Sequence, residues 1–184
     1  MATPSSPCDP KRRWLLAAPL LALGAARAEG PPAVGQPAPN FKLQAADGSW
    51  HELAQLVRQR RVTVVNFWAT WCGPCVAEMP EFDAVHRKLQ AQGLSMLGIN
   101  VGEKPPKVQP FAQRMHLSYP LLLDPEGDAR EAYAVFGALP VTLVVDSRGV
   151  LRQRFTQPTT APELTAGDDG NLGPWTDVFS FGAT

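Results

Sequence analysis

One stretch decides how this chain folds: Val62-Thr-Val-Val-Asn-Phe-Trp-Ala-Thr-Trp-Cys-Gly-Pro-Cys-Val-Ala-Glu-Met-Pro80. Its first half is a run of β-branched and aromatic residues, which predicts a buried strand. After Cys72, apolar side chains recur every three or four positions, as they do on one face of a helix. These positions are Cys75, Met79, Phe82, Val85 and Leu89. The sequence therefore predicts a strand that passes into a helix at the Cys72-Gly73-Pro74-Cys75 turn, with Pro74 near the first helical position, where a missing N–H is tolerated.

A helix that begins at this turn changes the chemistry of the first cysteine. Unpaired N–H groups and the positive end of the helix dipole lie at a helix start, so they stabilise a thiolate at Cys72. Cysteines in such positions have pKa values of about 3.5–7.5 instead of about 8.5. Cys75 lies one turn along the same helix and can close a small disulfide ring. We therefore expect Cys72 to attack a substrate disulfide and Cys75 to resolve the mixed disulfide.

The same pair of cysteines allows two other interpretations. A zinc site would need two more ligands, and the remaining candidates stand at irregular spacings. They are Cys8, His51, His86 and His116. A purely structural disulfide would not call for a Gly-Pro turn between a tryptophan and a helix. The placement favours redox exchange, in which the Cys72–Cys75 disulfide is itself the redox group and no metal or other cofactor is expected.

The first 28 residues have the pattern of an export signal. A basic start is followed by an apolar run from Trp14 to Ala26 and by an Ala-x-Ala cleavage site that ends at Ala28. The apolar run is short for a membrane span and contains Pro19, so cleavage is favoured over anchoring. We predict a signal peptide over residues 1–28 and a periplasmic protein, which would be membrane-anchored if the segment were retained.

The remaining chain supports one domain. The 184 residues are 45% hydrophobic and 18% charged, which is ordinary for a globular fold with a real core. Without residues 1–28 the chain carries 13 basic and 16 acidic residues, a net charge of −3, and no pattern that suggests a nucleic-acid partner. Pro and Gly are frequent in residues 29–39, which predicts a linker into a domain of residues 40–155.

The nine residues from Phe67 to Cys75, Phe-Trp-Ala-Thr-Trp-Cys-Gly-Pro-Cys, resemble the active site of the thioredoxin superfamily. From about Val34 to Phe155 the chain is similar to its TlpA-like and ResA-like branch, exported thiol–disulfide oxidoreductases that include cytochrome c maturation proteins. The resemblance implies an α/β thioredoxin-like fold, in which helices flank a central mixed sheet. A hairpin over residues 41–51 would form the N-terminal extension, and a helix and strand over residues 108–123 the βα insertion.

The same resemblance implies partners and a contact surface. The substrate would be a protein disulfide, such as that of an apocytochrome c, and a membrane thiol carrier would donate the electrons. Trp71, Gly73 and Pro74 would contact the substrate, and a monomer is expected. The Gly-Pro dipeptide resembles that of reducing thioredoxins, which favours reduction over oxidation.

A further match concerns the proton of the second cysteine. The thioredoxins that this chain resembles carry a buried aspartate at the position of Asn66, and the asparagine cannot titrate. The ResA-like branch has a glutamate three residues after the second cysteine, and Glu78 matches it. Because this carboxylate lies one turn from Cys75, thiolate repulsion and partial burial should raise its pKa. We predict that Glu78 accepts the proton of Cys75.

Two other positions match the branch. The segment Asn100-Val101-Gly102-Glu103 resembles a motif that ends at an acidic residue near the disulfide, so Glu103 is an expected electrostatic neighbour. Pro140 stands at the head of a predicted strand, where a proline is unusual, and it matches the cis proline of thioredoxin-like proteins. The match implies that Pro140 keeps metal ligands away from the cysteines, while the backbone of Leu139 pairs with an extended substrate segment.

The end of the chain departs from the branch. Helices are predicted over residues 108–116 and 129–136, and the last strands over residues 141–145 and 150–155. The family then closes with a helix, whereas residues 156–184 are rich in Gly, Pro, Asp and Thr and lack a helical period. The sequence predicts an irregular tail and a missing closing helix.

Two other functions are alternatives to thiol–disulfide exchange. A thiol peroxidase of the peroxiredoxin type would want a threonine three residues before its reactive cysteine, whereas Thr70 lies two before Cys72. A Sco-like copper chaperone, which is not an enzyme, separates its cysteines by three residues and adds a distant histidine. Here two residues separate Cys72 from Cys75.

Overall fold

A mixed seven-stranded sheet organises the described residues, 30–160 and 162–163, of the computed structural model. The strands are β1 (Lys42–Ala45), β2 (Trp50–Glu52), β3 (Val62–Trp68), β4 (Leu94–Val101), β5 (Leu121–Asp124), β6 (Val141–Asp146) and β7 (Leu151–Phe155). The helices are α1 (Leu53–Gln59), α2 (Gly73–Leu89), α3 (Pro105–Met115) and α4 (Asp128–Ala132), with a 3-10 turn over Gln90–Gln92. The strand order is β2-β1-β5-β4-β3-β6-β7.

The strand β3 lies inside the sheet, and all seven of its residues are buried. It runs parallel to β4, with Val64 beside Met96, and antiparallel to β6, with Val64 beside Val144. Its side chains alternate between two apolar layers. One layer packs against α2 and α3 and contains both cysteines, and the other packs against α1 and α4. The predicted thioredoxin-like arrangement of a mixed sheet between helices is confirmed.

The helix α2 begins one residue after Cys72, as the sequence pattern predicts. Its buried face includes the five apolar positions recognised in the sequence, and it continues through Pro80. Because β3 ends at Trp68 and α2 starts at Gly73, only four residues separate the strand from the helix. The cysteine pair therefore lies at the carboxyl edge of the parallel pair β3 and β4.

The N-terminal extension and the insertion both join the main sheet. The hairpin of β1 and β2 turns at Gly48, whose φ of 90° lies in the left-handed region that favours glycine. β1 also pairs with β5, which in turn runs parallel to β4. Residues 35–38 of the predicted linker are fixed to the same sheet, because they exchange backbone hydrogen bonds with Gly149 and Leu151.

Two predicted helix boundaries are wrong. The helix predicted from Val108 begins at Pro105, since prolines suit a first helical turn and do not break it there. The helix predicted over residues 129–136 ends at Ala132, because Ala134 has a left-handed φ of 48° that a helix cannot contain.

The two ends of the chain are described only in part. The predicted signal peptide, residues 1–28, lies outside the described residues, as do residues 164–184 of the predicted tail. Among the helices of the described residues, none is both long enough and apolar enough to cross a bilayer.

Candidate active site

The two cysteines of the turn form a disulfide, with a distance of 2.03 Å between their sulfur atoms. Cys72 is the N-cap residue of α2, and its backbone is extended, with φ −84° and ψ 97°. Its Sγ accepts the backbone N–H of Cys75 at 3.3 Å. The first sulfur therefore occupies the place where a helix N-terminus stabilises negative charge.

The surroundings of the disulfide differ on its two sides. Cys75 is fully buried and Cys72 is 5% exposed, whereas Trp71 is 68% exposed and Gly73 and Pro74 are exposed as well. A Cβ atom added to Gly73 would meet no atom within 4 Å. The predicted contact residues thus form open surface next to Cys72, the more accessible of the two sulfurs.

The loop before β6 reaches the same edge of the sheet. Val141 pairs with Phe67, so the preceding residue, Pro140, lies beside the end of β3. The Leu139–Pro140 peptide bond is cis, as the resemblance implies, and Pro140 is buried. Leu139 packs against the apolar layer that contains the cysteines. Its backbone N–H and carbonyl make no hydrogen bond within the described part of the chain.

Glu78 lies inside the protein, with only 5% of its surface exposed. Its Oε1 accepts the Nδ2–H of Asn66 at 2.8 Å, and its Oε2 accepts the backbone N–H of Thr159 at 3.1 Å. Asn66 also donates to Thr142 Oγ1 at 3.0 Å, which fixes the amide between β3 and β6. Burial raises the pKa of Glu78 to about 7 although both hydrogen bonds act to lower it. A carboxyl group with this pKa can both take and release a proton near neutral pH.

Glu103 is a second buried carboxylate at this edge, 7% exposed. Its two oxygens accept the backbone N–H and the hydroxyl of Thr70, both at 2.7 Å, and the Nδ2–H of Asn100 at 2.8 Å. Lys107 Nζ lies 2.6 Å from Oε1. Burial acts to raise the pKa of Glu103, but the bonds from Lys107, Thr70 and Asn100 outweigh it and lower the pKa to about 2. Glu103 is therefore an anion at neutral pH, and it holds the loop two residues before Cys72.

Several partners of these carboxylates could not be recognised in the sequence. Thr159, Thr142 and Lys107 are far from the cysteines in sequence, and nothing in their neighbourhood marks them. A signal did exist for Thr159. The pattern Thr160-x-x-Glu163 is typical of a helix start, and Glu163 Oε2 accepts the Thr160 N–H at 2.7 Å. Residues 162–163 are helical, so the chain after β7 differs from the predicted irregular tail at this point.

The described residues contain no cluster of side chains that could bind a metal ion. Among residues 30–160 and 162–163, no three His, Cys, Asp or Glu side chains lie close enough together to hold an ion.

Known proteins share this arrangement. The AhpC/TSA family matches residues 34–154. The thiol-disulfide oxidoreductase ResA of Geobacillus thermodenitrificans is 36% identical over 132 residues, which cover 72% of this chain and 74% of that protein. The chain belongs to the AhpC/TSA family, in its ResA-like branch of thiol–disulfide oxidoreductases.

Solved structures agree with this assignment. A thiol:disulfide interchange protein of the thioredoxin family from Chlorobium tepidum is 28% identical, with a TM-score of 0.62 over 72% of this chain and 92% of that one. A secreted thiol-disulfide isomerase from Corynebacterium glutamicum is 26% identical, with a TM-score of 0.62 over 73% and 82% of the two chains. This ResA-like chain is an enzyme that exchanges disulfides, and Cys72–Cys75 is its redox-active pair.

Proposed function

We propose that the chain is an exported reductant of protein disulfides, that it serves cytochrome c maturation, and that a membrane thiol carrier re-reduces it. One observation carries the proposal: Cys72 Sγ sits at the start of α2, where it accepts the Cys75 N–H. Export is supported by the signal-like pattern of residues 1–28 and by the similar secreted isomerase of Corynebacterium glutamicum.

The first half of the reaction uses Cys72 as nucleophile. In the reduced enzyme its thiolate attacks one sulfur of the substrate disulfide, so a bond forms between Cys72 and the substrate while the substrate S–S bond breaks. The second substrate sulfur leaves as a thiolate and takes up a proton from solvent. The open surface at Trp71, Gly73 and Pro74 lets the substrate reach this sulfur.

The second half requires a proton acceptor beside Cys75. Glu78 lies one helical turn away and is buried like Cys75, so it takes the thiol proton as Cys75 attacks Cys72 Sγ. The mixed disulfide breaks, and the remaining substrate thiolate receives the proton that Glu78 holds. Two electrons have then passed to the substrate, and the enzyme is left with the disulfide seen in the structure.

Substrate binding uses main-chain groups in this proposal. The N–H and carbonyl of Leu139, which make no hydrogen bond with the described residues, lie in the loop before β6, on the edge of the sheet that carries the disulfide. An extended segment that contains the substrate cysteine can pair with them as an added strand. Apocytochrome c suits this mode, because its haem attachment sequence, Cys-x-x-Cys-His, contains two cysteines that could form a disulfide.

A trapping experiment tests the reaction. The probe is an oxidised peptide that contains Cys-x-x-Cys-His. We expect the reduced Cys75→Ser variant to accumulate a mixed disulfide with this peptide through Cys72, whereas the Cys72→Ser variant should not. Measured against dithiothreitol, the Cys72–Cys75 couple should have a potential close to the about −270 mV of thioredoxin. A potential near about −120 mV, as in a strong oxidant, would reverse the proposed direction.

The same samples distinguish the alternative functions. Peroxide consumption by the wild-type protein would indicate a peroxidase, and copper retained after desalting would indicate a copper chaperone. The geometry argues against the peroxidase, because the hydroxyl of Thr70 donates to Glu103 and is not available to a peroxide at Cys72.

A kinetic test addresses Glu78. In the Glu78→Gln variant the first thiol of the substrate should be released at the wild-type rate, while release of the second is slowed about 100-fold, the usual order for loss of a general base. If both steps were slowed equally, or if neither were slowed, Glu78 would not be the proton acceptor for Cys75.

A further inference from the structure

A cleft of about 610 Å³ lies at the opposite end of the sheet from the disulfide. Its walls come from the end of α1 and the two residues that follow it, from the 3-10 turn before β4, and from the turn between β6 and β7. Because β3 and β4 are parallel and the disulfide follows β3, these walls are separated from it by the length of β3, on the order of 20 Å. The polar residues that line the cleft are Arg58, Gln59, Arg60, Arg61, Gln90, Gln92 and Ser147.

The cleft is strongly basic, whereas the rest of the domain of residues 40–155 is close to neutral, with 10 basic and 11 acidic residues. No acidic side chain from the described residues lines it, and none of its three arginines forms an ion pair with those residues. The nearby carboxylate of Asp146 is already paired with Arg152 at 2.6 Å. Two half-charges of negative sign, from the ends of α1 and α2, offset about one of the three positive charges. A net charge of about +2 therefore remains at the cleft.

One arginine is held in place by the backbone. Gly93 has a φ of 103°, and a Cβ atom there would lie 2.9 Å from Arg61 Cγ. The Arg61 side chain thus passes directly over the glycine. The Arg61 N–H also donates to the Gly93 carbonyl at 2.9 Å. Position 93 therefore lets Arg61 lie against the rim of the cleft, where its guanidinium group adds to those of the other two.

We propose that this cleft binds a phosphate-bearing anion, either a free phosphate compound or the headgroup of an anionic phospholipid. The planar fork of arginine matches phosphate oxygens with two parallel N–H donors, and three arginines line this cleft together with three glutamines and a serine. This binding goes beyond the redox reaction and uses none of its residues.

The path of the chain gives the lipid source a physical basis. Gly35 N–H donates to the Leu151 carbonyl at 2.7 Å, and Ala38 N–H donates to the Gly149 carbonyl at 2.8 Å. Residues 35–38 therefore run beside the turn that carries Ser147, on the rim of the cleft. The apolar run Trp14–Ala26 precedes them in sequence, so a chain that retained this run at a membrane would enter the domain next to the cleft.

Two probes distinguish the sources of phosphate. Inorganic pyrophosphate is titrated into the full-length protein, and binding is followed by the backbone amide NMR signals of residues 90–93. Sedimentation is measured with anionic vesicles of equimolar phosphatidylglycerol and phosphatidylcholine. Vesicles of phosphatidylcholine alone serve as the reference, because binding to them measures the contribution of the apolar run. The test variant carries Arg58→Gln, Arg60→Gln and Arg61→Gln. The control variant loses three charges elsewhere, by Lys42→Gln, Lys104→Gln and Arg114→Gln.

We expect the arginine variant to bind the anionic vesicles about 100-fold more weakly than wild type, since each of the three arginines near such a surface contributes about fivefold. The control variant should lose far less. Binding of pyrophosphate alone identifies a free phosphate compound, and binding of the anionic vesicles alone identifies a headgroup. The proposal is overturned if neither probe binds, or if both triple variants weaken equally. Insulin reduction by the arginine variant should equal wild type, so either result leaves the redox function untouched.

Discussion

The two sides of the disulfide each hold one buried glutamate, and the two behave in opposite ways. Glu78 is 5% exposed and has a pKa of about 7, while Glu103 is 7% exposed and has a pKa of about 2. Glu78 accepts two hydrogen bonds from uncharged donors. Glu103 accepts three such bonds and in addition pairs with the ammonium group of Lys107. The two carboxyl groups are exposed to a similar small extent but are different acids, because Glu78 lies deeper in the protein while Glu103 has more donors, one of them charged.

This difference supports a division of work between the two glutamates in the proposed mechanism. A carboxyl group that titrates near neutral pH can move the proton of Cys75. A carboxylate that stays ionised near neutral pH cannot, but Glu103 can hold the Thr70 backbone and so position the turn that carries Cys72. In the proposed mechanism, Glu78 transfers the proton of Cys75, and Glu103 fixes the geometry of the turn.

The largest expected effect comes from removing the charge of Glu103. Glu103→Gln keeps the shape but leaves one acceptor oxygen where four donors converge, so the free energy of unfolding at neutral pH should fall by about 3–4 kcal/mol. Urea denaturation measures it, with the exposed Glu126→Gln as control. Because the pKa of Glu103 is lowered, this contribution should be present above about pH 4.5 and vanish as the pH falls through about 2. If Glu103→Gln were as stable as wild type at neutral pH, the ionised Glu103 would not stabilise the turn before Cys72.

The pH dependence of stability should change next most strongly in Glu78→Gln. The folded oxidised protein binds the Glu78 proton more tightly than the unfolded chain, so wild type should lose about 2–3 kcal/mol as the pH rises from about 4.5 to about 7. The Glu78→Gln variant has no such proton to lose, so its free energy of unfolding should not fall in this way over the same pH range. The control variant Glu126→Gln should show the same fall as wild type. An identical slope in Glu78→Gln and wild type would contradict the raised pKa.

A smaller effect should follow from removing only the cation beside Glu103. Lys107 is 60% exposed, so Lys107→Met should destabilise the fold by only about 0.5–1 kcal/mol. It should also raise the pKa of Glu103 while leaving that of Glu78 unchanged. Lys104→Met removes a neighbouring charge that forms no ion pair with the described residues and serves as control. A loss as large as that of Glu103→Gln would mean that the ion pair, not the hydrogen bonds, holds the turn.

Local patterns were enough to predict the redox turn. The run of β-branched residues and the helical spacing after Cys72 both fall within a few residues of the cysteines, and β3 and α2 form where they indicate. The hairpin, the insertion and the cis bond before Pro140 followed from the resemblance to the ResA-like branch. The helix after β5 ended early because one residue, Ala134, adopts a left-handed backbone that no local pattern announced.

The partners of the two glutamates could not be predicted in the same way. Thr159 lies 81 residues from Glu78 in sequence, and Thr70 lies 33 residues from Glu103. Only the folded sheet brings these groups together, so the sequence could place both carboxylates near the disulfide but could not count their donors. For that reason the sequence predicted Glu103 only as an electrostatic neighbour of the disulfide. It did not predict the hydrogen bonds by which Glu103 fixes Thr70.

A carbon-13 NMR titration of the side-chain carboxyl groups tests the comparison most directly. Glu78 and Glu103 are assigned in the oxidised protein, with Glu78→Gln and Glu103→Gln as assignment controls, and both are followed from about pH 2 to about pH 9. The account predicts a midpoint of about 7 for Glu78 and of about 2 for Glu103. Midpoints that both fall near the ordinary value of about 4.3, or that fall in the reverse order, would contradict it.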